Sequence, residues 1–194
     1  RRVATALNDV FSYGNHYQWG RPADGHEITV WNGTSKNAGR GLVDKTATLA
    51  ADAYPSYPNF ITDRFDWLDD PAASGVDTLW AVANQGPCPA HYHVPSVDDW
   101  NTAIGYNDGA ATSSGSTVGW DNNIETYEST LKLSSSGARF GGRNILVGQG
   151  AITYYGTTTV SDTFVNYLYA ASTSLNTSSI SSRAFGFSVR CLKD

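Results

Sequence analysis

Cys88-Pro89-Ala90-His91-Tyr92-His93-Val94-Pro95-Ser96-Val97-Asp98-Asp99-Trp100-Asn101-Thr102-Ala103-Ile104 is the most informative run of this sequence. Ser96 follows a proline and precedes two acids. Its hydroxyl can accept the amide of the third helical residue, while Asp98 and Asp99 sit at the positive end of the helix dipole. Val97, Trp100 and Ile104 then fall on one face at spacings of three and four. A short helix with a buried stripe is expected, entered from a proline-rich turn that holds one of the two cysteines.

Toward the carboxyl end the period changes from helical to two. Val165, Tyr167 and Tyr169 alternate with Asn166 and Leu168, and Phe185, Phe187 and Val189 alternate with Gly186, Ser188 and Arg190. Two terminal strands are expected, the last running to Cys191. On the amino side, Leu79 to Asn84 reads as a short apolar strand. Residues 3–11 form a weak helical pattern, followed by the core-building aromatics Tyr13, Tyr17 and Trp19. Between Arg21 and Pro71 the isolated aromatics Trp31, Tyr54, Tyr57, Phe60, Phe65 and Trp67 fit long ordered loops anchored by single large side chains. Residues 105–123 read as a Gly/Ser/Asn-rich loop, and Tyr127 to Leu133 as a short helix or strand.

The 194 residues suffice for one sizeable core and do not require a second domain, so a single domain over 1–194 is expected. Thirteen Lys plus Arg stand against eighteen Asp plus Glu, a balance that provides no basic field for a phosphate backbone. Nucleic acid is not an expected partner. No apolar run approaches the roughly 20 residues of a bilayer-crossing helix. Six Trp, eleven Tyr, seven Phe and nineteen Gly point to turns, short strands and aromatic packing. The expected class is α+β, with short helices around small antiparallel sheets and long ordered loops. The chain starts at Arg1 and lacks Met, which reads as a processed form or fragment whose targeting segment has been removed.

Cys88 and Cys191 are too few for a structural zinc site and form no CxxC pair. They read as one disulfide or as two unpaired buried thiols. In the chain-entropy model, closing so long a loop would stabilise the fold by about 4–5 kcal/mol.

Specific motifs narrow the reading. Cys88-Pro89-Ala90-His91-Tyr92-His93-Val94-Pro95-Ser96 with Trp100, and Gly186-Phe187-Ser188-Val189-Arg190-Cys191-Leu192-Lys193-Asp194, resemble the "CPxGYHVPT…EW" signature and "GFSVRCVKD" ending of the Fibrobacter succinogenes major paralogous domain family. Tyr17-Gln18-Trp19-Gly20-Arg21 is similar to that family's amino-terminal motif, and Leu131-Lys132-Leu133 with Gly137 and Arg139 to its "LKLP…GYR" segment. The likeness is weakest between about residues 25 and 75. It implies a C-type-lectin-like fold and supports a Cys88–Cys191 bond. Several members resemble the variable proteins of diversity-generating retroelements, whose carboxyl-terminal segment is randomised to change binding specificity. Departures from the family pattern gather there: Tyr155-Gly156-Thr157-Thr158-Thr159 stands where relatives read "YWSST", and Phe185 where they carry asparagine. Randomised adenines in an asparagine codon never yield lysine, glutamate, glutamine, methionine or tryptophan, and none of these occurs from Ile152 to Phe187.

The resemblance implies a scaffold of about 1–143 and 186–194 that presents a variable binding surface of about 144–185. Between Asn144 and Ser182 the only formal charge is Asp162, and Tyr, Ser, Thr, Asn and Gly dominate, as in paratopes. The candidate anchors are Tyr154, Tyr155, Phe164, Tyr167, Tyr169 and Phe185, with Thr157, Ser174, Asn176, Ser178, Ser179 and Ser181 as adaptable polar contacts. Tyr155, Phe164 and Phe185 are expected to be exposed; for Tyr167, Tyr169 and Phe187 the reading as core strand residues is preferred over that of ligand contacts. The expected partner is a protein or glycan ligand at an extracellular or cell-surface location, with self-association as a further possibility.

Enzymatic and metal constellations are weak. His16, His26, His91 and His93 invite a metal reading, but no cysteine lies at a suitable spacing. His93 is expected to be hydrogen-bonded in the core and His91 solvated. Asp66, Asp69 and Asp70, or Asp121-Asn122-Asn123, could hold calcium, yet the sugar-binding triplets of calcium-dependent lectins are missing, so no cofactor is expected. There is no GxSxG elbow and no P-loop. A structural subunit of a filament or coat is the first alternative, and a formylglycine-generating-type or hydrolytic enzyme the second.

Overall fold

The computed structural model describes residues 3–31, 41–42, 45–51, 55, 58–63, 65–70, 76–81, 86–105 and 120–194. Among the described residues, two α-helices, α1 (Val97–Ile104) and α2 (Asn123–Glu128), accompany thirteen short strands. α1 begins where the sequence predicts it. The Ser96 side chain accepts the Asp99 amide, the Asp99 carboxylate accepts the Ser96 amide, and Gly105 closes the helix in the left-handed region at φ 89°. α2 is capped by Asn122, whose Oδ1 accepts the amides of Ile124 and Glu125. It overlaps the Tyr127–Leu133 segment expected to form an element only at Tyr127 and Glu128 and starts four residues earlier.

The strands are β1 (Tyr17–Gln18), β2 (Thr29–Val30), β3 (Gly41–Leu42), β4 (Lys45–Thr46), β5 (Phe60–Ile61), β6 (Tyr92–His93), β7 (Ala138–Phe140), β8 (Ile145–Val147), β9 (Thr153–Ser161), β10 (Phe164–Ala171), β11 (Ser174–Ser182), β12 (Gly186–Phe187) and β13 (Leu192–Lys193). They form a four-stranded sheet in the order β1-β12-β7-β8, a three-stranded sheet β11-β10-β9 and three two-stranded pairs. All pairings are antiparallel except β4 with β5. The expected mixed class of small antiparallel sheets with few helices is what is found.

Cys88 and Cys191 are joined, with Cα atoms 5.7 Å apart. Close by, β13 pairs with β6, Leu192 opposite His93. The main core gathers Tyr17, Trp19, Trp80, Cys88, Val94, Ala138, Val165, Phe187 and Val189. Trp19 and Trp80 of this core, and Trp67 of a neighbouring cluster with Ala50, Ile61 and Leu68, are fixed at both ends, ring buried and indole nitrogen on a distant carbonyl: Trp19 to Thr157, Trp67 to Trp19 and Trp80 to Arg21. Burying an indole N–H without such a partner would cost on the order of 1–3 kcal/mol.

Polar side chains lace the amino end to the rest. Gln18 Nε2 donates to the carbonyls of Ile61 and Ala184, and its Oε1 accepts from the Ile61 amide and from Arg21. Arg21, Arg139 and Arg183 are all buried, and each meets an aromatic ring face: Trp67, Phe60 and Trp19 respectively. Arg183 is further held between Asp66 and Asp77.

Several local expectations are corrected. The 3–11 helical pattern yields turns and a 3-10 turn at Val10–Ser12 capped by Asp9, because Asp9 also draws in the amide and hydroxyl of Thr5. Leu79 and Trp80 lie in a turn rather than a strand, following a 3-10 turn at Val76–Thr78; residues 82–85 fall outside the described residues. Phe65 is exposed, whereas Phe60 and Trp67 are fully buried. Tyr54, Tyr57 and most of the 105–123 loop also lie outside the described residues. The second terminal strand is brief, since β12 covers only Gly186 and Phe187.

Candidate functional site: an aromatic row beside a hairpin concavity

The β9–β10–β11 meander has two unlike faces because opposed residues of an antiparallel pair point the same way. Tyr155 opposes Leu168, and Ala170 opposes Leu175. These four pack with Trp100, Ile104 and Leu133 into a second core under α1. On the other face Tyr169 opposes both Tyr154 and Asn176, and Tyr167 opposes Ser179. Two-residue connections, at residues 162–163 and 172–173, keep the three strands in sequence.

The second face meets the four-stranded sheet along a row of rings. Tyr154 lies 5.5 Å from Tyr169 and 5.7 Å from Tyr167; Tyr167 stacks on Phe187 at 4.7 Å; Phe185 follows Phe187 at 6.1 Å and meets Phe140 edge-on at 4.7 Å. Phe187 is the buried floor, while the other five rings are half-buried. Burial pushes the Tyr154 phenol up to about 12, with Tyr167 and Tyr169 adding to the shift. Burial also raises Tyr167, although a hydrogen bond with Ser179 acts the other way. Near neutral pH the row therefore offers protonated phenols able to donate as well as accept.

At the Phe140 end the row reaches the β7–β8 hairpin. A concavity of about 570 Å³ there is lined by Phe140, Gly142, Arg143, Ile145 and Val147. The turn is held from within, because Asn144 adopts a left-handed φ of 54° and its Oδ1 accepts from the buried Arg139.

The structure divides the twelve predicted ligand residues. Two belong to the interior. Tyr155 is 6% exposed and rests on Trp100, and Thr157 is 0% exposed with its hydroxyl on the Asn166 carbonyl. The expected exposure of Tyr155 is thereby corrected: α1 covers its face of the sheet. Phe185, also expected to be exposed, is half-buried between Phe140 and Phe187. Phe164 is exposed at 38%, at the far end of the meander. Tyr154, Tyr167 and Tyr169 come together in the row. Ser174, Asn176, Ser179 and Ser181 are half-buried along β11 and Ser178 is exposed; Asn176 Oδ1 accepts from the amide and hydroxyl of Ser178. Sequence reasoning missed Phe140, Arg143, Ile145 and Val147. The signal was the apolar run Ile145-Leu146-Val147 just beyond the Gly141-Gly142 turn.

Titratable clusters elsewhere are engaged internally. Asp24, His26 and Glu27 bring potential ligand atoms within 4.8 Å of one another. The His26 Nδ1 sits 2.5 Å from Asp24, its Nε2 accepts the Gln18 amide, and the Asp24 Oδ2 takes the Arg21 guanidinium. Both imidazole nitrogens are thus in use. Burial lowers the His26 pKa to about 4, outweighing the hydrogen bond to Asp24, so the ring is neutral at pH 7. His93 is not in the core as expected. It is half-buried at the β6 edge, 2.7 Å from Asp194, and His91 is exposed. Asp66 turns one oxygen to the amides of Trp67 and Leu68, and Asn122 serves as a helix cap. Among the described residues no helix is long and apolar enough to cross a membrane. Comparison of the chain with family models, curated proteins and solved structures finds no match.

Proposed function

We propose that this chain is a ligand-recognition module with a C-type-lectin-like fold, secreted or displayed at a cell surface, whose binding face is the aromatic row and the hydroxyl-rich strand β11 beside it. The observation that carries the reading is the row from Tyr169 to Phe140, half-open and bordered by a strand without a formal charge. Stiff aromatic area with protonated phenols and adaptable serines suits a protein or glycan surface. The disulfide and the buried arginines supply the fixed frame, so the half-buried and exposed side chains on the open face of β9–β11 can vary while the inward ones keep the core. Retroelement-type diversification of this segment fits that division of labour. We also read the module as non-enzymatic: Cys88 and Cys191 are bonded to each other, which leaves no reduced pair for formylglycine-type chemistry.

The test is a glycan array and a displayed-protein panel probed with the wild-type domain, Tyr169→Ala, Ser178→Arg and the distant control Ile124→Ala. Ligands lost by the first two variants and kept by the control support the reading. Binding that ignores both face variants removes it.

A structural-subunit reading has one observation in its favour. Ile180 on β11 is 56% and Phe164 38% exposed near the same end of the sheet, and among the described residues β11 pairs only with β10. Sedimentation of wild type against Ile180→Lys separates the two: concentration-dependent assembly abolished by the lysine favours the subunit.

A further inference from the structure

The hairpin concavity has a chemistry of its own. It lies at β8, the terminal strand of the β1-β12-β7-β8 sheet, so one side of β8 pairs with β7 and its other side carries no strand among the described residues. An open strand edge offers backbone donors and acceptors to an incoming extended chain. Ile145, Val147 and Phe140 make the lining apolar, and Ile145 is 46% exposed. The volume of about 570 Å³ falls within the range of sites that enclose small groups. Arg143 stands in the same lining, is exposed, and forms no ion pair with any described acid, although the chain carries a net charge of −5. Arg139 and Arg183, by contrast, are buried and have partners.

We propose that the β7–β8 hairpin captures an extended, β-branched peptide segment that carries one carboxylate. The peptide backbone adds to the outer edge of β8, an apolar side chain enters the concavity over Ile145 and Val147, and the carboxylate pairs with Arg143. The edge selects a peptide, because a sugar acid could use the arginine but not the strand. Arg143 then supplies the orientation, since a guanidinium binds a carboxylate through two parallel hydrogen bonds. The proposal rests on the recognition reading and adds a second, charged subsite beside the uncharged row.

The experiment measures fluorescence anisotropy with labelled, terminally blocked heptapeptides in which valine and threonine alternate and a single glutamate is moved through the positions. Each has a glutamine counterpart, and a glucuronate-containing oligosaccharide serves as competitor. Wild type is expected to bind at least one glutamate peptide about tenfold more tightly than its glutamine twin. Arg143→Glu should erase that preference, Ile145→Asp should weaken both peptides, and the distant control Ile124→Ala should leave the preference intact. Equal binding of the twins, no binding by any glutamate peptide, retention of the preference in Arg143→Glu, or binding of the oligosaccharide alone would each overturn the proposal. Array ligands that depend on Tyr169, together with glutamate peptides that bind no better than their glutamine twins, would overturn the peptide subsite while leaving the recognition reading in place. Loss of both would remove both.

Discussion

Tyr167 and Phe187 lie ring on ring, 4.7 Å between centroids and 18° from parallel, and through this pair the uncharged meander is seated on the four-stranded sheet. Tyr169, two residues away on the same strand, has its ring contact with Tyr154. The two tyrosines look alike in sequence and differ in what they hold.

Tyr167→Ala is therefore expected to lower the stability of the domain by about 2 kcal/mol, and Tyr169→Ala by about 1 kcal/mol or less. Urea midpoints at unchanged m-value measure the difference. Equal losses would mean that the stack on Phe187 contributes no more than the edge contact on Tyr154.

Opening the Cys88–Cys191 bond, which spans 103 residues, should destabilise the fold by about 4–5 kcal/mol in the chain-entropy model. The Cys88→Ser, Cys191→Ser double variant, compared with the oxidised protein by denaturant titration, gives the number. A loss under about 1 kcal/mol would indicate that the β6–β13 pair holds the carboxyl end without help.

Acid sensitivity should centre on His26. The folded ring titrates at about 4 and the unfolded ring near 6.5, so between these values the unfolded chain binds the extra proton. Stability is then flat above about pH 6.5 and falls as the pH drops toward 4, by up to about 3 kcal/mol. The incoming proton would have to sit on Nε2, against the Gln18 amide that donates to it. Chemical denaturation from pH 7.5 to 4 should show this slope, and His26→Gln should flatten it. An unchanged slope in the variant would assign the effect to other groups.

Gly137 lies at φ +71°, and a β-carbon there would come 2.3 Å from the Val147 carbonyl oxygen and 2.8 Å from the Gln149 nitrogen. Neither neighbour is a flexible side-chain tip. Gly137→Ala should cost at least about 3 kcal/mol, read as a melting-temperature drop of roughly 10 °C or no folded product. A near-normal melting temperature would show that β7 and β8 separate easily, which would also weaken the hairpin as a docking edge.

The features legible in the sequence were those with local causes. The start of α1 could be read because Ser96, Asp98 and Asp99 act within one turn, and β10 could be read because its apolar and polar residues alternate. The phase of burial was not legible. Tyr154 and Tyr155 are neighbours with the same side chain, and only the position of α1 decides which one is covered. Strand β11 was hidden for a related reason: Ser174 to Ser182 contains two large apolar residues, and its strand form depends on β10 rather than on its own propensity. The buried arginines were equally silent, since Arg183 finds Asp77 and Asp66 more than a hundred residues upstream. Within the candidate site, the tyrosines were recognisable by composition, whereas Arg143 and Phe140 become neighbours of that surface only when β7 joins β12.

The pairing of β1 with β12, reinforced by the bond from Gln18 to Ala184, sets a condition on biosynthesis. Tyr17 and Gln18 leave the ribosome long before their strand partners, Phe187 and Gly186. A ribosome still holding the carboxyl-terminal segment in its exit tunnel presents an amino end with nothing to dock on. Closure of this domain thus waits until Phe187 has left the exit tunnel, and until then the tryptophans of the earlier segment are open to foreign contacts.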